Sequence, residues 1–492
     1  MNKHICLLML AGTFLLLAGC TSIPKDLGRN DVNALISERG VPIEATVKHG
    51  SNEVLNALIA QPLTAESAIR IALINNPQLK STYAGLGIGA ADVYEAGRIR
   101  NPIFSFTSLD SNVSGERNLN SYGLILSFTD LLTLPSRKRI AEGEFAVMKQ
   151  TVGAEIVNTA AATEAAFYEF VAAKQVAALR EQIAKAGALS RDLAKRYYDA
   201  GNLSPRDLAL EQAGASESQL ESLEANDEAY IKRAQLAALL GLSVADAWDA
   251  PAQLPVPLVQ EDNLDDLIKL AQQSRLDLAG ANARAKNYAD RLGVTNWTRW
   301  LGELDVGIEH ERETDGADLT GPTIEWEVPI FTQNRDRKLR ATAELKMAIA
   351  EVERLTLDIE NSVRLAYAAT LNTKARVDEY RDRLIPARIE IVERAQEEEA
   401  FMLIGIFELL ETKQAEYDAY QGYLEIVRDY WLARTELARA VGNTLPSNRH
   451  VNKKHLSVDD YIAPQPESMD HSAHGDMSQS ETISTDNAHS NH

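Results

Sequence analysis

The chain is written twice. Arg137, Lys138, Ala141 and Glu144 recur as Arg337, Lys338, Ala341 and Glu344, and on either side the halves keep step. Ile69–Leu79 pairs with Ile268–Leu278, and Gln235–Leu242 with Glu436–Asn443. A spacing of roughly 200 residues is far beyond the 20–50 of a solenoid unit, so the chain is a duplicated module. Each copy carries a lead-in helix, two amphipathic strands and two unusually long helices, a poor recipe for a closed soluble domain.

Residues 1–19 read as a secretion signal: Lys3 and His4, then the apolar run Ile5–Leu17, too short to span a bilayer as a helix. Leu17-Ala18-Gly19-Cys20 resembles a bacterial lipobox, which implies a covalent lipid on Cys20; Thr21 rather than Asp after it implies sorting to the outer membrane of a Gram-negative cell. Once the signal is removed Cys20 is the only thiol, which excludes disulfides, thiolate catalysis and Cys-built metal sites within one chain. No later segment is apolar enough for a spanning helix. The net charge of -21 argues against nucleic acid and suits a solvated periplasmic surface.

The expected organisation is a lead-in at 20–62, a first repeat at 63–242, a linker at 243–262, a second repeat at 263–443 and a flexible tail at 444–492. Thr64–Gly97 predicts helix, restarting at Asn76-Pro77. The period then changes to two. Strands are expected within 101–131, with Phe104 and Phe106 on one face and Tyr122, Leu124, Leu126 and Phe128 on another, and again within 303–331. In the second copy Leu304, Val306, Ile308 and His310 alternate with Glu303, Asp305, Gly307 and Glu309, so one face is apolar and the other carboxylate-rich. In a soluble sandwich the apolar face would meet a second sheet, but only four strands are available and nothing else in the chain is β-rich. A transmembrane barrel also shows such alternation, with lipid on the apolar side. Four strands cannot close a barrel, since the smallest bacterial ones have about eight. Closure therefore requires several chains, and three would supply twelve strands. Trp297, Trp300 and Trp326 sit where an interfacial girdle would lie, although core positions explain them equally.

Ser136–Ala200 and Asn334–Met402 predict helices of roughly 100 Å at about 1.5 Å per residue. Both turn back sharply. Gly201 breaks the first, Ser204 caps the return helix with Pro205 at its first position, and Asp207 is expected to complete a capping box. In the second copy the turn is expected near Leu403–Ile406, with Gly405 as breaker.

Two short strands followed by two very long helices, duplicated behind a lipobox, resemble the outer-membrane efflux protein (TolC) family over nearly all of Leu63–Asn443. The most specific stretches are Val328-Pro329-Ile330-Phe331 running into Arg335–Arg340, Tyr198-Asp199-Ala200-Gly201 with Asp207-Leu208, and Phe401–Leu410. The resemblance implies a mainly α fold with a small β part: a homotrimer with a 12-stranded outer-membrane barrel and a periplasmic helical tunnel. It also implies a periplasmic adaptor and a proton-driven or ATP-driven inner-membrane pump, with the resistance-nodulation-division type expected. By the same resemblance Glu408, Glu411 and Asp207 would lie at the pore constriction, where threefold copies of the two glutamates would attract cations. The basic partner for a latch with Asp207 is missing, because Leu403, Ile404 and Ile406 are apolar. Gly201, Leu203, Ser204 and Gly405 would form the tip an adaptor recognises.

The tail holds His450, His455, His471, His474, His489 and His492 of the nine histidines. Met469, His471, His474 and Met477 combine donors suited to copper or zinc, though adjacent spacing in a flexible segment allows only weak binding. A disordered polar tail with no metal role is the alternative. No cofactor is required, and no nucleophile elbow, P-loop, zinc-protease motif or dinucleotide loop is present, so an enzyme is not expected. The competing class is a non-transport periplasmic coiled-coil lipoprotein that sequesters metal or serves as an adaptor.

Overall fold

The computed structural model describes residues 25–42, 51–112, 115–298, 300–331 and 333–450. All of them fall within the first of two compact units, residues 1–456. Cys20 and the tail residues Met469, His471, His474 and Met477 lie outside the described residues.

The lead-in contains two short helices, α1 (Arg29–Ser37) and α2 (Ser51–Ile59). Val32 and Ile36 of α1 are buried against Val152 and Ile156 further along the chain, so this polar stretch is folded onto the module rather than trailing from it.

Helices α3 (Ala65–Asn75) and α4 (Pro77–Ala96) begin where their caps predict. Thr64 and Ser67 form a reciprocal capping box. The Asn76 side chain accepts from the Gln78 and Leu79 amides, and Pro77 occupies the first turn, where its missing N–H costs nothing.

Strands β1 (Ile103–Leu109) and β2 (Leu119–Ser127) lead directly into α5 (Phe128–Asp199), which returns as α6 (Pro205–Leu240). The second copy repeats the order: α7 (Leu264–Ser274), α8 (Leu276–Thr298), β3 (Leu304–Arg312), β4 (Asp318–Trp326), α9 (Arg335–Glu379), α10 (Ile385–Ala400) and α11 (Ile406–Val441). With 72 residues, α5 is about 108 Å long.

The pseudo-symmetry extends to the caps. Gly241 and Gly442 end the two return helices in the left-handed region, at φ 66° and 70°. Asn75, at the α3–α4 break, donates its side-chain amide to the carbonyls of Leu240 and Gly241. Arg275, at the α7–α8 break, donates to the carbonyls of Arg439 and Ala440. In each copy the lead-in helices therefore satisfy the carbonyls that the return helix leaves open.

Several boundaries differ from the sequence expectation. The strand expected to reach Leu131 ends at Ser127, and α5 runs straight through Pro135. The junction is held by polar contacts. Asp130, in the first turn, pairs with Arg100 and Arg137, and the Thr129 hydroxyl accepts the Leu304 amide. The strand expected to reach Phe331 ends at Trp326, and Val328 to Phe331 follow without strand pairing.

The helix expected over Asn334–Met402 is interrupted by a π-helical turn, Tyr380–Leu384. Pro386, which has no N–H to donate backward, follows directly, and such bulges relieve the missing bond. Gly422 of α11 makes room for the bulge, because a Cβ there would stand 2.6 Å from the Tyr380 hydroxyl.

A buried polar belt ties the linker and chain end to α11. Arg434 pairs with Glu261 and donates to Ser447 (2.6 Å) and Asn448 (2.8 Å), while Tyr430 donates to Glu261. Leu445 is fully buried and the Thr444 amide donates to the Arg39 carbonyl, so Thr444 to Asn448, expected in the tail, are tied to the fold.

Candidate functional site: the strand face and the hairpin tips

The four strands form one antiparallel sheet in the order β1-β2-β3-β4, so the two copies meet at β2 and β3. Register settles the faces. Phe104 opposes Leu124, Leu124 opposes Ile308, and Ile308 opposes Pro322. The next row is Phe106, Tyr122, His310 and Thr320, with the Phe106 and Tyr122 ring centroids 5.0 Å apart. The two aromatic groups that the sequence suggested for different faces thus share one. That face carries Phe104, Phe106, Tyr122, Leu124, Leu126, Val306, Ile308, Ile324 and Trp326. The opposite face carries Asp305, Glu309, Glu311 and Glu325. Asp305 sits directly across from Glu325, and Glu309 accepts the Ser121 hydroxyl.

Among the described residues nothing covers the apolar face: Phe104 is 67% exposed, Ile308 58% and Ile324 69%. Burying one such side chain is worth about 1.5–3 kcal/mol. Leaving Phe104, Phe106, Leu124, Ile308, Ile324 and Trp326 in water would forfeit on the order of 10 kcal/mol, as much as a whole domain's stability. Among the described residues both sheet edges, β1 and β4, are also unpaired, a liability in water. Among the described residues no helix is long and apolar enough to cross a membrane.

The hairpin tips lie at the far ends of the long helices and touch through the Tyr197 and Phe407 rings, 6.5 Å apart. Each closes with the same motif. At the first, Gly201 (φ 78°) donates to the Tyr198 carbonyl and Asn202 to Tyr197. At the second, Met402 (φ 59°) donates to Glu399 and Leu403 to Glu398. This is the Schellman closure, with Met402 where glycine is favoured. The expected breaker Gly405 instead has extended backbone and caps α11, in the position that Ser204 holds for α6. The sequence reading missed Met402 because nothing in its side chain announces a left-handed turn.

Ser204 accepts the Asp207 amide and donates its hydroxyl to the Asp207 carboxylate at 2.7 Å, so Asp207 is engaged within its own turn. Leu203 follows Gly201 in the turn and is half-buried. Glu408 and Glu411 are exposed on the first turns of α11, one helical turn apart. Phe401, Met402 and Leu403 stand 78%, 92% and 73% exposed, making the second tip an apolar knob that the first tip lacks. Among the described residues no group of three His, Cys, Asp or Glu is arranged to hold a metal ion.

A bare-faced amphipathic sheet with open edges, carried on helices of about 100 Å, defines the fold of the outer-membrane efflux channels. Solved structures share it. A membrane protein from Pseudomonas aeruginosa superposes with a TM-score of 0.66 at 16% identity, covering 80% of this chain and 93% of that one. The CmeC outer membrane channel of Campylobacter jejuni gives 0.63 at 14% identity over 81% and 88%. CusC, a transmembrane channel, gives 0.64 at 14% identity over 81% and 96%. No protein-family model matches the sequence, and no curated protein matches it.

Proposed function

We propose that this chain is the outer-membrane component of a tripartite efflux system, a passive conduit from an inner-membrane pump through a periplasmic adaptor to the outside. The observation that carries the reading is the sheet, with its apolar face bare and both edges unpaired. Three copies joined edge to edge, β4 to β1, make a twelve-stranded barrel with lipid outside and the carboxylate face inside. The helices support the same closure. Leu220, Leu223, Tyr230 and Ile231 on α6, and Met347, Leu357 and Leu365 on α9, are apolar and exposed in the single chain, as trimer seams would require.

In this assembly a lipid on Cys20 anchors the chain, and the two tips meet the adaptor through Gly201, Leu203, Ser204 and Gly405. Glu408 and Glu411, with Asp207, line the constriction, and the pump is of the resistance-nodulation-division type. Copper or a similar cation as cargo is supported by the donor chemistry of Met469, His471, His474 and Met477 and by the acidic inner face of the strands. An adaptor or sequestering lipoprotein would need its apolar strand face covered by a soluble domain.

The test is extraction of outer membranes followed by electrophoresis without boiling, with a deletion strain challenged in parallel with copper, silver, zinc and hydrophobic drugs. Heat-resistant trimers and a sensitised strain are expected; a monomer in the soluble periplasmic fraction would sink the reading.

A further inference from the structure

The residues that anchor the duplication, Arg137-Lys138 and Arg337-Lys338, stand in corresponding places, in the opening turns of the long helices just past the strands. In the second copy they belong to a cluster: Arg335, Arg337, Lys338 and Arg340 are all exposed, with Asp336 the one carboxylate among them. Arg335 donates to the Gln333 side chain at 3.1 Å, and among the described residues no ion pair engages these four cations. In the first copy Arg139 is likewise exposed, whereas Arg137 and Arg100 share Asp130.

Two general forces argue against this placement. The first turn of a helix has positive partial charge and favours carboxylates over cations. Repulsion among clustered cations adds to that cost. A chain of net charge -21 has ample carboxylates to place here, yet this segment is basic.

The neighbouring residues explain it. From the sheet toward the helices, the exposed apolar Ile324 and Trp326 are followed by Val328, Ile330 and Phe331, with exposures of 45%, 66% and 97%. The cations come next. Apolar surface followed by a cationic band is the order of hydrocarbon and headgroups across half a bilayer. Long Arg and Lys side chains can bridge the two by snorkelling.

We propose that Arg335, Arg337, Lys338 and Arg340, joined by Arg139 of the first copy, form a basic collar that binds anionic phospholipid headgroups in the leaflet bordering the inner end of the sheet. The proposal rests on the membrane-channel reading and adds to it a lipid preference. Repeated around a trimer, the collar would fix the depth of the barrel in the bilayer. Val328, Ile330 and Phe331 would supply the apolar half of this two-part anchor.

The test uses the full chain purified in non-ionic detergent and offered mixed micelles of phosphatidylglycerol and phosphatidylcholine, with retained lipid counted by native mass spectrometry. One cation near an anionic surface is worth about fivefold in affinity, so a preference for phosphatidylglycerol of at least about tenfold is expected, falling as salt is raised. The triple substitution Arg337→Gln, Lys338→Gln and Arg340→Gln should abolish the preference. Charge-conserving Arg337→Lys with Arg340→Lys should keep it. Lys195→Gln, Arg196→Gln and Arg206→Gln, which remove equal charge near the first tip, should also leave it intact. Unchanged preference in the collar variant, or equal loss in the collar and tip variants, would overturn the proposal. A wild-type chain that retains neither lipid and needs no detergent would instead overturn the membrane reading beneath it.

Discussion

Replacing Leu124 with arginine puts the assignment of the sheet faces under direct strain. Leu124 lies in the middle row of the sheet, between Phe104 and Ile308, on the face that no described element covers, and it is 51% exposed. If that face meets lipid, the new guanidinium sits near the bilayer midplane, where Arg or Lys on a barrel's outer surface costs about 2–4 kcal/mol. That is a factor of roughly 30–900 in the folding equilibrium, since about 1.4 kcal/mol is tenfold. Asn120→Arg lies on the same face but beside Arg312 at the far rim, and there the cost falls to about 0–1 kcal/mol. Ser121→Arg points to the carboxylate face, where Glu309 and Glu311 receive it, and it should cost little while shifting ion selectivity. Urea titration of refolding into short-chain phosphatidylcholine vesicles measures all three. The expected order is Leu124→Arg far below Asn120→Arg and Ser121→Arg. Equal stability of Leu124→Arg and Ser121→Arg would refute the argument, because it would mean that neither face meets hydrocarbon.

Other outcomes follow from the tips, the buried belt and the chain end. Glu408→Ala combined with Glu411→Ala should raise single-channel conductance and weaken block by multivalent cations; unchanged conductance and block would remove both residues from the constriction. Burial holds the Glu164 carboxyl above its ordinary range, a stronger effect than the opposing hydrogen bond from Tyr168 and the charge of Arg434. A raised folded pKa in an acid means a penalty that is absent below the unfolded value and grows as pH rises. Glu164→Gln should therefore raise the melting temperature at pH 8 and leave it unchanged near pH 4, and the opposite trend would contradict the burial argument. Truncation after His450 should raise copper sensitivity without changing drug resistance, and equal sensitivity would leave the tail without a metal role. A cut after Asn443 would confuse that test, since it also removes Leu445, Ser447 and Asn448 from the belt around Arg434.

The duplication, the helix starts at Thr64 and Asn76, the cap at Ser204, the two strand pairs and the length of the first long helix were legible in the sequence. Each depends on neighbours a few residues away: a period of two or 3.6, a side chain reaching its own helix's amides, a proline in a first turn. Register was not legible. Only pairing across the sheet shows that Phe104, Leu124 and Ile308 form one apolar row. Without a partner strand, alternation says that two faces exist but not which residues of different strands share one. The second tip and the second long helix failed for a related reason. Met402 adopts a left-handed turn without being glycine, and the π turn at Tyr380–Leu384 depends on Gly422, distant in the chain, leaving space for Tyr380. The sequence by itself determined the modules and the alternating polarity of their strands, because those are written in local periodicity. The tertiary structure decided which polar and apolar surfaces remain without partners, because that depends on what residues far apart in the chain fail to cover.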